Sequence, residues 1–163
     1  MNVFQRLSAL FLFVGVASLS LFSQNARDVH QVSNFSGVDI GGVFEVELTR
    51  SDRSSLVVVA DRDDLGKVKS YVDEGILHVH LKDGNWEMKG TIKLVISAPE
   101  FKYIELSGAT KAWSTNTLRA RNVSMELSGA SNADLDIRSE SMNMQLSGAA
   151  IQTLTGKTEQ MHI

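Results

Sequence analysis

Ile104-Glu105-Leu106-Ser107-Gly108-Ala109 returns as Met125-Glu126-Leu127-Ser128-Gly129-Ala130 and again as Met144-Gln145-Leu146-Ser147-Gly148-Ala149, at spacings of 21 and then 19 residues. A unit this short cannot bury an apolar face alone, so each copy must lie against its neighbours. Within each copy the apolar residues share one parity while Glu105, Glu126 and Gln145 take the other, which is the period of a strand. The pairs Ser107-Gly108, Ser128-Gly129 and Ser147-Gly148 then mark a repeated corner, where the chain turns and a hydroxyl can bond nearby backbone.

A second register follows from an offset of nine residues, which links Leu118 to Leu127, Ile137 to Leu146 and Leu154 to Ile163. It begins a fourth copy at Gln160-Met161-His162-Ile163, with Met161 and Ile163 inward and the chain stopping in mid-coil. Length differences between copies then fall in Thr110 to Thr117, Ser131 to Asp136 and Ala150 to Thr153, which are predicted loops. An all-β parallel β-helix, a solenoid with short coils of about 17–21 residues, is the predicted fold. A leucine-rich repeat would need a helical segment and an asparagine ladder, and neither is present.

Residues 1–23 read as an export signal, with Arg6 at the positive start, Leu7 to Phe22 as the apolar run and cleavage after Ser23. The run is interrupted by Ser8, Gly15, Ser18 and Ser20 and falls short of the roughly 20 residues a membrane span needs. No membrane span is expected once the leader is removed. The chain has no cysteine, so disulfides and a lipidated cysteine anchor are both excluded. The formal net charge is −3, and one unit more negative without Arg6. That balance argues against nucleic acid and anionic membrane as partners. An exported protein of the periplasm, cell surface or extracellular space is expected.

Residues 24–163 read as one domain, because the only proline is Pro99 and no Ser/Gly-rich or charged run divides them. Irregular coils are expected over 29–100 and regular Ser-Gly coils over 101–163. In the first half, strand-like runs occur at Val43 to Leu48, Leu56 to Ala60, Ile76 to Leu81 and Ile92 to Ile96. Leu65, Val68 and Val72 have helical spacing, so Leu65 to Val72 is predicted as the one helical turn. The earliest coil is expected to cap the stack.

Phe35-Ser36-Gly37-Val38, Gly75-Ile76-Leu77-His78-Val79, Ile96-Ser97-Ala98-Pro99 and the repeated Leu-Ser-Gly-Ala occur in that order. Together they resemble the putative auto-transporter adhesin head GIN domain, a family also catalogued as a domain of unknown function, over about residues 29 to 163. The resemblance implies a right-handed, single-stranded β-helix exported by Gram-negative bacteria, with no defined catalytic residue. Family members usually continue through more Ser-Gly coils than this chain shows.

His78 and His80, at i and i+2 of a strand, share a face and raise a metal site, but no third ligand is near in sequence and a solvated face is the better reading. Asp61, Asp63 and Asp64 lack the spacing of a calcium loop and read as a polar turn. Asp134 and Asp136 flank Leu135 and raise a glycosidase pair, yet their counterparts on neighbouring coils are small or apolar. Ser107, Ser128 and Ser147 have no recurring histidine to activate a nucleophile. No catalytic residue, metal or cofactor is expected.

The outward column Glu105, Glu126, Gln145 and His162, beside Tyr103, Ser124, Asn143 and Gln160, forms a polar wall. Tyr103 and the two tryptophans, Trp86 and Trp113, both placed in exposed turns, are the candidate ligand-surface aromatics. The leading expectation is a non-enzymatic, adhesin-like module that binds a glycan or envelope protein. A polysaccharide-active enzyme and an assembly module that pairs through its open terminal strand, as a homo-oligomer, are the alternatives.

Overall fold

Alternation of buried and outward residues, read in the sequence as strands, persists through the computed structural model, which describes residues 25–84 and 87–163. The elements are β1 (Asn25–His30), β2 (Gly37–Gly42), β3 (Phe44–Arg50), β4 (Ser55–Asp61), α1 (Arg62–Leu65), β5 (Val68–Asp73), β6 (Ile76–Leu81), β7 (Ile92–Ala98), β8 (Tyr103–Gly108), β9 (Lys111–Ser114), β10 (Leu118–Arg119), β11 (Asn122–Leu127), β12 (Asn132–Leu146) and β13 (Ile151–His162). The export signal at 1–23 and Trp86 lie outside the described residues.

The strands form one sheet in the order β1-β4-β7-β3-β9-β12-β11-β8-β2-β6-β5, with β10 and β13 also on β12. Strand β12 makes the turn between the two arms. Its first part pairs with β9 and β10, and its second part with β11. The arms face each other across one core, and their far ends approach, because His30 Nδ1 on β1 lies 2.5 Å from Ser70 Oγ on β5. The result is a mixed sheet curled into a nearly closed, barrel-like shape.

This corrects the predicted right-handed, single-stranded parallel β-helix with coils of 17–21 residues. The repeat segments do pair in parallel, Leu106 opposite Leu127 and Leu127 opposite Leu146. They are the middle of a mixed sheet, however, whose outer pairs β1·β4, β4·β7 and β5·β6 are antiparallel. The local cause is clearest at Glu74-Gly75, whose φ values of 47° and 76° give the tight turn that folds β6 back on β5. A chain that reverses there cannot continue as a coil, and no separate cap precedes the sheet among the described residues.

Three further expectations change. The predicted loops at 110–117 and 131–136 instead hold β9 and the start of β12, where the small inward residues Ala112 and Ala133 are buried. The predicted loop at 150–153 likewise opens β13. The helical turn is Arg62–Leu65, and Val68 and Val72 belong to a strand. Finally, β13 pairs with β12 at a constant offset of 19, putting Leu154 opposite Leu135 and Met161 opposite Met142. His162 therefore stands beside Asn143 instead of Gln145, and Gly156 falls opposite Ile137, where a Cβ would meet backbone.

The core is one cluster running from Phe35 to Met144. Val38, Ile40, Ile104, Leu106, Met125 and Leu127 come from one arm, and Val46, Leu48, Leu94, Ile96 and Leu135 from the other. Side chains of alternate parity are thereby forced outward on both arms, which positions the surface described next.

Candidate functional site

Outward residues of the arm β5-β6-β2-β8-β11-β12 fall into register as a single transverse row. Tyr71 lies opposite His78, His78 opposite Asp39, Asp39 opposite Glu105, Glu105 opposite Glu126 and Glu126 opposite Gln145. At the usual spacing of about 4.8 Å per strand the row spans roughly 24 Å. In the middle of the row the reason is the same for each: the chain neighbours, such as Val38 and Ile40 around Asp39, or Ile104 and Leu106 around Glu105, are buried, whereas Tyr71 and Gln145 at the two ends stand where burial thins out.

One end of the row is aromatic. The Tyr71 and His78 rings stack with centroids 4.8 Å apart, His80 meets Tyr71 edge-on, and Lys69 Nζ lies 5.6 Å from the Tyr71 centroid. His78 Nδ1 is 2.8 Å from Asp39 Oδ2, so the histidine is engaged with a carboxylate and a tyrosine. Among the described residues no three His, Cys, Asp or Glu side chains come together as a metal site.

The middle of the row is acidic. Asp39, Glu105 and Glu126 sit on adjacent strands, an arrangement in which like charges repel. Tyr103 relieves part of it by donating its hydroxyl to Glu105 Oε2 at 2.6 Å. Burial, that hydrogen bond and the carboxylates of Glu105, Glu126 and Asp39 together hold the phenol well above its ordinary value of 10.0, so it stays a donor. Glu126 has no ion-pair partner among the described residues. A hollow of about 190 Å³ lies over Glu105, Glu126, Gln145, Ser128 and Ser147. Chemically the row offers carboxylate acceptors, the Gln145 amide as donor and acceptor, and an aromatic face, the groups that engage hydroxyl-bearing ligands, while the Tyr103 proton is committed to Glu105.

The other predicted positions are dispersed. Trp113 is in β9, half-buried between Glu47 and Asp134, with Lys93 Nζ 5.2 Å from its ring centroid; it is not in a loop. Asp134 faces Trp113 and Thr153, and Asp136 accepts a 2.6 Å hydrogen bond from Thr117 Oγ1. Asp61 caps α1 by accepting from the Asp63 amide. Asp64 is fully buried, paired with Lys67 and bonded by the amides of Lys89 and Gly90.

Ser107, Ser128 and Ser147 mark the rim of the row, and Gly108, Gly129 and Gly148 adopt φ of 79°, 72° and 74° at the corner. Sequence reasoning identified Glu105, Glu126, Gln145 and Tyr103, but missed Asp39 and Tyr71. Their parity marks them as outward, yet only the pairing of β2 with both β6 and β8 brings them to the same row.

The sequence profile of the family described as putative auto-transporter adhesin, head GIN domain, matches residues 34–163. No curated protein matches the chain in sequence. Among solved structures, a putative adhesin from Bacteroides fragilis superposes with a TM-score of 0.79 at 20% identity, covering 85% of this chain and 65% of its own. A putative lipid binding protein from Parabacteroides distasonis gives 0.69 at 16% identity, covering 82% and 59%. A putative adhesin from Parabacteroides merdae gives 0.62 at 10% identity, covering 83% and 75%. At such identities the likeness is one of fold. The chain spans less than two thirds of the length of the first two.

Proposed function

We propose that this chain, which belongs to the putative auto-transporter adhesin, head GIN domain family, is an exported, non-enzymatic binding module that holds its ligand against the Tyr71-to-Gln145 row. The observation that carries the reading is the row itself: six outward polar or aromatic side chains from six adjacent strands, in one register, on a rigid sheet. A flat row with acceptors along its length suits an extended, hydroxyl-rich ligand such as a glycan, contacted at several sugars in succession. The adhesin descriptions of the family and of two structural neighbours support the same class.

The test is a glycan array probed with the secreted chain, followed by Tyr103→Ala, Glu105→Ala and Glu126→Ala on any hit. Saturable binding that falls about tenfold or more with these variants supports the reading. Binding indifferent to all three, or no saturable ligand, removes it. Turnover of the bound glycan would instead favour the enzyme alternative.

A further inference from the structure

A second charged file runs over the other arm of the sheet. Arg119 lies opposite Arg138, and Arg138 opposite Lys157, on three adjacent strands. All three are exposed, and the residues preceding Arg119 and Arg138 in the chain, Leu118 and Ile137, are buried, so these cations project on the same outer face. Cross-strand neighbours of like charge destabilise a sheet.

Nearby charges are arranged in the opposite way. Lys93 pairs with Glu47 at 2.8 Å, Arg121 with Glu140 at 2.7 Å, and Lys102 with Glu100 at 2.5 Å. Among the described residues none of Arg119, Arg138 and Lys157 has a carboxylate within ion-pair distance. Arg119 and Arg138 line an open groove of about 670 Å³ with Pro99, Ala120, the Arg121–Glu140 pair and two further carboxylates, Glu100 and Glu159, of which Glu100 is paired with Lys102; Lys157 extends the file beyond this groove.

We propose that Arg119, Arg138 and Lys157 form a binding ladder for a linear anionic polysaccharide, one that carries a carboxylate or sulfate on successive sugars. Three cations carried on strands about 4.8 Å apart make a file rather than a convergent pocket, and that strand step is close to the advance of one sugar in an extended glycan. A lone small anion reaches at most two neighbouring cations, whereas a polymer meets all three. Pro99 and Ala120 offer apolar contact for sugar faces beside the file. The overall negative charge of the chain disfavours long-range attraction of polyanions, so binding depends on this local register. The ladder is a different surface from the Tyr71-to-Gln145 row, and the two are separated by their variants.

Affinity electrophoresis of the whole secreted chain through gels holding polygalacturonate, dextran sulfate, neutral dextran or double-stranded DNA tests the proposal at low and moderate salt. Retardation by polygalacturonate points to carboxylate recognition and by dextran sulfate to sulfate recognition. Either is expected to weaken about tenfold or more in Arg119→Gln/Arg138→Gln, to persist in Glu105→Gln/Glu126→Gln, and to be absent with neutral dextran. The double arginine variant should melt at or above the parent temperature without polymer, since it relieves repulsion. No retardation by either anionic polysaccharide, retardation that survives loss of both arginines, stronger retention by DNA, or a marked fall in melting temperature would overturn it.

Discussion

Gly129 stands over Gly108 so closely that a Cβ on Gly129 would lie 2.5 Å from the Gly108 carbonyl oxygen. The backbone there has φ of 72°, so an alanine meets both a steric clash and an unfavourable conformation. The contact also anchors the register, because the Ala130 amide donates to the same Gly108 oxygen at 2.7 Å. Gly129→Ala is therefore expected to destabilise the fold by about 1–3 kcal/mol, read as a lowered midpoint in chemical denaturation. An unchanged midpoint would show that the corner is not held as described.

Copies of the repeat are equivalent in sequence but not in burial. Leu127 is 1% exposed and Leu146 45% exposed, although they are direct register partners. Leu127→Ala should cost about 2–5 kcal/mol through lost burial and a cavity. Leu146→Ala should cost roughly 1 kcal/mol or less. Equal losses in the two variants would contradict this placement.

Asp64 supplies a pH dependence whose sign is fixed by its surroundings. The hydrogen bond from Lys67 Nζ at 2.6 Å, assisted by the Lys89 and Gly90 amides, holds its carboxyl below the ordinary 3.8, against the opposing effect of burial. A folded-state value below the unfolded one means the group stabilises the fold above the unfolded value. That contribution is lost as pH falls from about 4 through the depressed value. Asp64→Asn should lose on the order of 3 kcal/mol at neutral pH and show a flatter acid limb in melting temperature against pH. A variant that retains the parent's acid sensitivity would refute the assignment.

Tyr103 should ionise later than an ordinary phenol on alkaline titration followed by phenolate absorbance, because it is partly buried, bonded to Glu105 and close to the carboxylates of Glu126 and Asp39. Glu105→Gln is expected to move that ionisation down, and Tyr103→Phe to delete it. If Glu105→Gln leaves the titration unmoved, the acidic middle of the row is not coupled to the phenol.

Much of the local structure was legible from periodicity alone. The alternation of Ile104, Leu106, Met125 and Leu127 against Glu105 and Glu126 fixed both strands and their outward faces, since burial on one side of a strand leaves no other choice. Trp113 was misplaced because β9 is only four residues long and its single fully buried side chain is Ala112, too weak a signal beside the polar residues around it. The fourth copy was misaligned by two residues because the spacing of Leu154 and Ile163 imitates that of Ile137 and Leu146. The actual pairing brings Leu154 to Leu135 and needs Gly156 against Ile137, a backbone approach that side-chain pattern does not encode.

By itself, then, the sequence determined an all-β chain, its repeated corners, the inward or outward sense of most strand residues and a resemblance to one adhesin-type family. Those properties depend on neighbours within a few residues. The tertiary structure decided that the outer strands reverse, that the sheet curls until His30 reaches Ser70, and that Tyr71, His78, Asp39 and Glu105 share one row while Arg119, Arg138 and Lys157 share another. Which strand lies beside which is settled by the packing of the whole core, where residues far apart in the chain compete for the same neighbours.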